Sequence, residues 1–465
     1  MASFDLLIIG GGLSGLAAGV RLARFGGRVA LFESHTALGG LNSFYRRGSV
    51  LQDVGLHAMT NFTPPSESGA PLNLVLRQLR ISRDELALCP QGHSAIVLPG
   101  TRVALDNDFG HFIGQLKTLF PESATGLDEL VRRVEEKGYS SLASAGVSAR
   151  AVIMACTGNR RLADILCLPV MYYGNAQAGD MDFTDFAILF KSVLQEGFCR
   201  PREGMSRLIG LLRQRFEEAG GLLRTGCAVR RILTDGNRVT AVVDASGETH
   251  EACHVLSTIG AAETLALIDG GGAVASSPLA ACRPGGAPGF VECLFEATEA
   301  PARLGFAECV EFVCQQETFD FAPPAEPLEE PSSFLVCVPS NYVGMPEGNA
   351  FRVSTLTDSR FWLEQPSDEA YRAAKTEIAR QCLTALRRHH PQLAEGAVCS
   401  DVFTPRTFRR FTGHRNGALY GSPDKCRDGR TGWDNLRLAG TDQGLCGIVG
   451  AMLSGILAAN DILRK

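Results

Sequence analysis

Residues Phe4 to Ile9 form a nearly unbroken apolar run, which predicts a strand buried on both faces in a parallel sheet. The apolar positions then change to helical spacing at Leu16, Val20 and Leu22, and a second apolar run, Val29-Ala30-Leu31-Phe32, closes a βαβ unit that ends at Glu33. Mid-chain, a helical stretch ends at Gly220-Gly221, and Val229 to Ile232, Val239 to Val243 and His254 to Ile259 read as strands separated by turns at Asp235-Gly236-Asn237 and Ser246-Gly247. Helical spacing recurs at Leu72 to Leu79, Phe109 to Phe120, Leu127 to Val134 and Phe183 to Val193. Strand-like runs cluster at Gly289 to Phe295, Glu308 to Val313, Ser333 to Val338 and Phe351 to Leu356. A Pro-rich loop, Ala322 to Pro331, interrupts them, and an amphipathic helix follows from Asp368 to Arg388.

Between the first strand and helix stand Gly10, Gly12 and Gly15, a G-x-G-x-x-G triplet. Such glycines let the backbone turn tightly and approach a pyrophosphate. The free N–H groups of the helix start, at Leu13 and Ser14, together with the helix dipole favour negative charge there. Glu33, followed by Ser34, can accept from ribose hydroxyls, and an acidic residue at this place argues against a 2′-phosphate and so against NADP. NAD and FAD both fit this unit. A second segment of the same kind lies near the end of the chain, where Leu436-Arg437-Leu438-Ala439 runs into Gly440-Thr441-Asp442 and then into a helix start with Gly444, Gly447 and Gly450.

The length of 465 residues exceeds one ordinary core, so two domains, or one with a large insertion, are expected. A formal net charge of -5 from 45 basic and 50 acidic residues leaves no broad basic face, which excludes nucleic acid as a partner. The 15 cysteines are scattered without a C-x-x-C pair and read as reduced core residues, with no metal site. The N-terminus lacks a secretory pattern and no apolar run reaches the roughly 18 residues of a membrane span, so a cytoplasmic protein is expected, with peripheral membrane contact left open.

Three groups of residues resemble the flavin-containing amine oxidase and phytoene desaturase superfamily. After Glu33 comes Ala37-Leu38-Gly39-Gly40-Leu41, similar to that superfamily's E-x-x-x-x-x-G-G. The C-terminal Thr441-Asp442, Gly447, Gly450-Ala451, Ser454-Gly455 and Ala458-Ala459 follow its terminal signature. Thr404-Pro405, Phe408, Arg410, Gly417-Ala418 and Tyr420-Gly421 are similar to a segment of bacterial phytoene desaturases, carotenoid isomerases and retinol saturases, and Asp53-Val54-Gly55-Leu56-His57 resembles their D-x-G segment near the flavin. The resemblance implies an α/β fold: a Rossmann-type, glutathione reductase-like FAD-binding domain with an inserted α+β substrate domain. The first is assembled from residues 1–60, 200–265 and 395–465, the second from 61–199 and 266–394.

It further implies that the Gly10/Gly12/Gly15 turn and Gly39-Gly40-Leu41 hold the cofactor, that the backbone of Val229 contacts adenine, that Gly440 and Asp442 meet the ribityl or pyrophosphate region, and that Ile448 and Val449 lie near the isoalloxazine. Many relatives carry Arg or Lys where this chain has Leu41, so Arg46 or Arg47 is expected to compensate. On this reading the protein is an FAD-dependent oxidoreductase acting on a hydrophobic isoprenoid or polyene, a reaction that needs no strong general base because delocalisation along the chain stabilises developing charge. His57 and Tyr420 are the candidate catalytic residues, with Arg409 and Arg410 as further polar candidates. Twenty-five phenylalanines suit either a greasy tunnel or ordinary cores. Two other readings stand beside it. A flavin amine oxidase would show an aromatic cage and a flavin-proximal lysine, for which only Trp433 and Lys191 offer themselves, and a prenyl-lipid escort protein would bind lipid without flavin chemistry. The oligomeric state is not legible.

Overall fold

The computed structural model describes residues 3–48, 50–137, 146–269, 277–286, 288–323 and 329–464. Strand β1 (Ser3–Ile9) lies at the centre of an eight-stranded sheet. It pairs in parallel with β2 (Val29–Phe32) on one side and with Thr249–Ser257 on the other. Leu222–Arg224 extends the parallel part beyond β2, and Leu436–Leu438 extends it beyond Thr249–Ser257. The start of Thr249–Ser257 also carries an antiparallel hairpin, Arg238–Asp244 and Val229–Asp235, so the two hands of pairing share one strand.

Both faces of the parallel part are covered, as its continuous apolar runs require. On one face helix α1 (Leu13–Ala23) and the helices Gly204–Glu218 and Gly447–Leu463 bury Leu16, Val20, Leu208, Leu212, Met452 and Ile456 against Leu6, Ile8 and Leu31. The terminal helix and α1 come close because Gly455 has no side chain: a Cβ there would collide with the Ser14 carbonyl. On the other face Leu7, Ile9, Ala30 and Phe32 pack against Val229, Ile232, Val239 and Val242 of the hairpin.

A second sheet of seven strands runs in the order Val398–Phe403, Gly289–Glu296, Ala350–Thr357, Ser333–Cys337, Val310–Cys314, Ser94–Leu98 and Thr101–Leu105. The long helix Asp368–His389 covers one face through Cys382, Ala385 and Leu386. The helices of residues 109–190 cover the other, through Phe112, Leu130, Ile165 and Phe186.

The strand-like runs of the second insert and the long helix form where the apolar pattern puts them. Phe183–Phe190 is helical, but Lys191–Gln195 continues it as a π-helix. Three features were not legible: the hairpin Ser94–Leu98 and Thr101–Leu105, whose partner strand is 216 positions away in sequence, and the helices Ala149–Thr157 and Arg160–Tyr172, the latter with Pro169 inside it. The strand Val398–Phe403, taken from sequence with the nucleotide domain, is the edge of the second sheet, pairing with Gly289–Glu296. Within the Pro-rich loop, residues 324–328 lie outside the described residues.

Candidate functional site

A cavity of about 570 Å³ runs between the two sheets. One half is walled by backbone and small residues: Gly10, Gly12, Leu13 and Ser14 from the β1–α1 turn, Glu33 and Ser34 after β2, and Gly39, Gly40 and Leu41 beyond them. Val229, Gly440, Thr441, Gly447 and Ile448 complete it. Gly10 takes φ +104°, a conformation that a side chain disfavours, and a Cβ there would meet Thr258 Oγ1 at 2.6 Å. A Cβ on Gly12 would meet no protein atom within 4 Å, so the turn leaves open space beside the helix start.

Neither α1 nor the helix Gly447–Leu463 has a side-chain cap, so the first N–H groups of two helices border one cavity, the arrangement that suits a dinucleotide's phosphates. Glu33, largely buried, accepts from the Gly11 and His35 N–H groups, each at 2.7 Å, and keeps free lone pairs for hydroxyl donors. The donor set, the open space at Gly12 and the carboxylate together fit the adenosine and pyrophosphate of FAD.

Three expected contacts fall elsewhere. Gly15 does not reach the cavity; its missing side chain lets α1 cross β1, because a Cβ would collide with the Gly10 carbonyl oxygen. Val449 is fully buried in the helix core, and only its neighbour Ile448 lines the cavity. Asp442, 3% exposed, accepts from the Ala261 N–H at 2.6 Å and from the Ser422 N–H at 2.7 Å, so its carboxylate ties two remote loops together while Gly440 and Thr441 reach the cavity. Arg46 and Arg47 lie on the strand Phe44–Arg47, outside the lining; the cations that line the cavity are Arg230 and Arg415.

The other half of the cavity is a chamber walled by side chains. Tyr172, Tyr173, Phe290, Leu335, Leu419 and Tyr420 surround it, with Phe290 edge-on to both Tyr172 and Tyr420 at 5.8 Å between ring centroids. Tyr173 stacks on Phe198 at 5.2 Å. The Tyr420 hydroxyl donates to the Tyr172 carbonyl at 2.6 Å, which braces the chamber wall, and burial pushes its pKa far up. Arg409 and Arg410 project from the helix Pro405–Thr412 as exposed side chains, outside the chamber.

His57 lines the chamber, and the structure adds partners that the sequence did not announce. Its Nε2 stands 2.8 Å from Glu292 Oε2 and 3.0 Å from Ser354 Oγ. Glu292 is buried, and its Oε1 lies 2.6 Å from Arg352 Nη1. Burial alone would raise the Glu292 pKa, but the facing His57 and Arg352 more than offset it and hold the carboxyl down at about 2.

Arg352 also donates to the Val54 carbonyl at 2.9 Å and to that of Asp53. From the other side Arg200 donates to the Leu56 and His57 carbonyls, at 2.8 and 3.1 Å, and pairs with Asp53 at 2.6 Å. Two buried arginines thus tie down the loop carrying His57. A charged residue inside an otherwise apolar strand, Val291-Glu292-Cys293 or Phe351-Arg352-Val353, was the available signal, since Glu and Arg are rarely buried without a partner.

Lys191 is directed to the Glu135 carbonyl at 3.1 Å, and Trp433 is buried on the far face of the first sheet; neither lines the cavity. Among the described residues the grouping Asp244, Glu248 and His250 has metal-ligand composition. It closes the turn of the hairpin region, where Asp244 accepts from the Ser246 and Glu248 N–H groups. No helix among the described residues is long and apolar enough to cross a membrane.

Comparison with known proteins agrees with this layout. The chain is 23% identical to the chloroplastic prolycopene isomerase of Arabidopsis thaliana, across 99% of its own length and 82% of that protein's. It is 22% identical to the human all-trans-retinol 13,14-reductase, across 99% and 86%. Among solved structures, an oxidoreductase from Methanosarcina mazei superposes with a TM-score of 0.67 at 16% identity over 99% of this chain and 100% of the other. Putrescine oxidase bound to putrescine superposes with a TM-score of 0.61 at 15% identity over the full length of both. The family described as flavin containing amine oxidoreductase matches residues 13–463, nearly the whole chain. The chain belongs to this family and is an FAD-dependent oxidoreductase.

Proposed function

We propose that the protein acts on a hydrophobic isoprenoid or polyene held in the aromatic chamber, transferring hydride to or from N5 of the bound flavin in a desaturation, isomerisation, saturation or dehydroxylation. Gly10, Gly12, Leu13 and Ser14 would hold the pyrophosphate, Glu33 the ribose, Val229 the adenine, and Gly440, Thr441 and Ile448 the flavin end. When bound there, the flavin supplies the two-electron acceptor or donor. The chain supplies the rest: Tyr172, Tyr173, Phe290, Leu335 and Tyr420 form an apolar, polarisable wall that excludes water and lines up a conjugated chain.

The observation that carries this reading is the balance of charge in the chamber. Aromatic rings can hold an ammonium by cation–π contact, but Glu292, the chamber carboxylate that would strengthen such a contact, is already held by Arg352 and His57. The cavity is also lined by no lysine among the described residues, and Lys191 stands elsewhere. A non-enzymatic lipid escort has no use for the open, uncapped pyrophosphate cradle at Gly12. The names of the relatives, an isomerase of prolycopene and a reductase of retinol, support the same substrate class.

The test is anaerobic incubation of the FAD-loaded protein with a carotenoid, a squalene-type alcohol and a diamine, with products separated by chromatography. Conversion of the carotenoid or squalene-type probe supports the reading; conversion of the diamine alone overturns it.

A further inference from the structure

We propose that His57 is the proton acceptor of this reaction, through Nδ1, and that Glu292 is the residue that positions it. The inference rests on the polyene reading of the chamber. Removing two hydrogens from neighbouring carbons divides into a hydride and a proton. The hydride leaves with its bonding pair for the bound flavin, the proton on the adjacent carbon passes to His57 Nδ1, and the electron pair it leaves behind becomes the second bond between the two carbons. In the saturating direction His57 returns the proton while the reduced flavin, as hydride donor, supplies the other hydrogen.

The geometry assigns the roles of the two ring nitrogens. Glu292, ionised, can only accept, so at 2.8 Å it fixes a proton on Nε2. The neutral imidazole then carries its lone pair on Nδ1, to which no described residue offers a hydrogen bond. When Nδ1 takes a proton, the imidazolium is stabilised by the same buried carboxylate, the logic by which a buried acid orients a histidine base. A base of this modest strength suits an acidified C–H next to a delocalised cation.

The surrounding charges leave this pair dominant. Arg352 faces Glu292 from the neighbouring strand, Asp53 and Arg200 neutralise each other behind the loop, and Cys337 and Tyr342 donate to the His57 carbonyl, not to the ring. Burial raises the pKa of both Cys337 and Tyr342, so neither adds charge near neutral pH.

The experiment is ¹⁵N NMR of the histidine-labelled holoenzyme, with His57 assigned by its absence from the His57→Gln protein. The wild type should show the Nε2–H tautomer, and Glu292→Gln, whose amide can donate as well as accept, should remove that preference. An Nδ1–H tautomer in the wild type overturns the inference without any variant, so a Glu292→Gln protein that fails to fold does not protect it. A His57 ring still held wholly as Nε2–H in a folded Glu292→Gln protein overturns the positioning role of Glu292 as well. With a polyene that bleaches the wild-type flavin, His57→Gln should keep its FAD and bleach at least about 100-fold more slowly; bleaching at the wild-type rate sinks the role of His57. Failure of every polyene to bleach the wild type, with the tautomers of both proteins as expected, would count against the substrate class and leave the His57–Glu292 pairing standing.

Discussion

Where the cavity meets residues 10–14, 33–34 and 39–41, its wall is largely main chain; where it meets His57, Tyr172, Phe290, Glu292, Ser354 and Tyr420, its wall is side chains drawn from five separate stretches of the sequence. The first half uses N–H groups that any helix start offers, glycines that let the ligand approach the main chain, and one carboxylate, Glu33. The second half owes its shape and charge to what each side chain is, and to two buried arginines that hold its loop in place. A fold can therefore keep one cofactor while its chemistry changes, because the two halves can be altered independently.

That independence can be broken in graded ways. Arg352→Met should have the largest effect: it strands Glu292 in the core beside His57 and should cost about 3–5 kcal/mol of stability, read as a lower melting temperature. Its damage should fall on the chamber, and the FAD content of whatever protein remains folded should stay near one per chain.

Gly12→Val is the converse. A Cβ there meets no protein atom within 4 Å, so the added bulk falls on cofactor space and the fold should persist while FAD affinity falls by about 10- to 100-fold, the equivalent of 1–3 kcal/mol of overpacking, measured by titrating FAD into the apoprotein.

Acid should act on the chamber half. Glu292 is held at about 2 in the folded protein, below its unfolded value of about 4.3. The folded state therefore binds fewer protons on this group, and the stability it contributes is complete above about pH 4.3 and is lost as pH falls toward 2. Thermal melts across that window should fall less steeply for Glu292→Gln than for the wild type.

Tyr420→Phe should show the smallest effect, about 1 kcal/mol for the lost hydrogen bond to the Tyr172 carbonyl, with the visible spectrum of the bound flavin unchanged. A larger loss of FAD in this variant would mean that the halves are coupled through Tyr420.

The same contrast explains what the sequence could tell. Phe4 to Ile9, the glycine triplet and Glu33 are neighbours in the chain as they are in the fold, so their arrangement was readable directly. Leu436-Leu438 and Gly440-Thr441 were readable for the same reason. Asp442 was not, because the two N–H groups it holds belong to residues 181 and 20 positions away. Ile448 and Val449 are one residue apart, yet the turn of the helix sends only the first to the cavity, a phase that an apolar pair does not reveal. His57 could be singled out from its local segment, but its partners could not: Glu292 and Ser354 lie on adjacent strands, 235 and 297 positions further on, and meet His57 only once the second sheet has formed.

The account stands most directly on the absorption spectrum of the purified protein, recorded before and after anaerobic addition of a polyene. It predicts a flavin band corresponding to one FAD per chain, bleached by the polyene in the oxidising direction or, after prior chemical reduction, restored by it. A colourless protein that takes up no FAD would contradict the account at its base, and a flavin band answered only by amines would contradict its reading of the chamber.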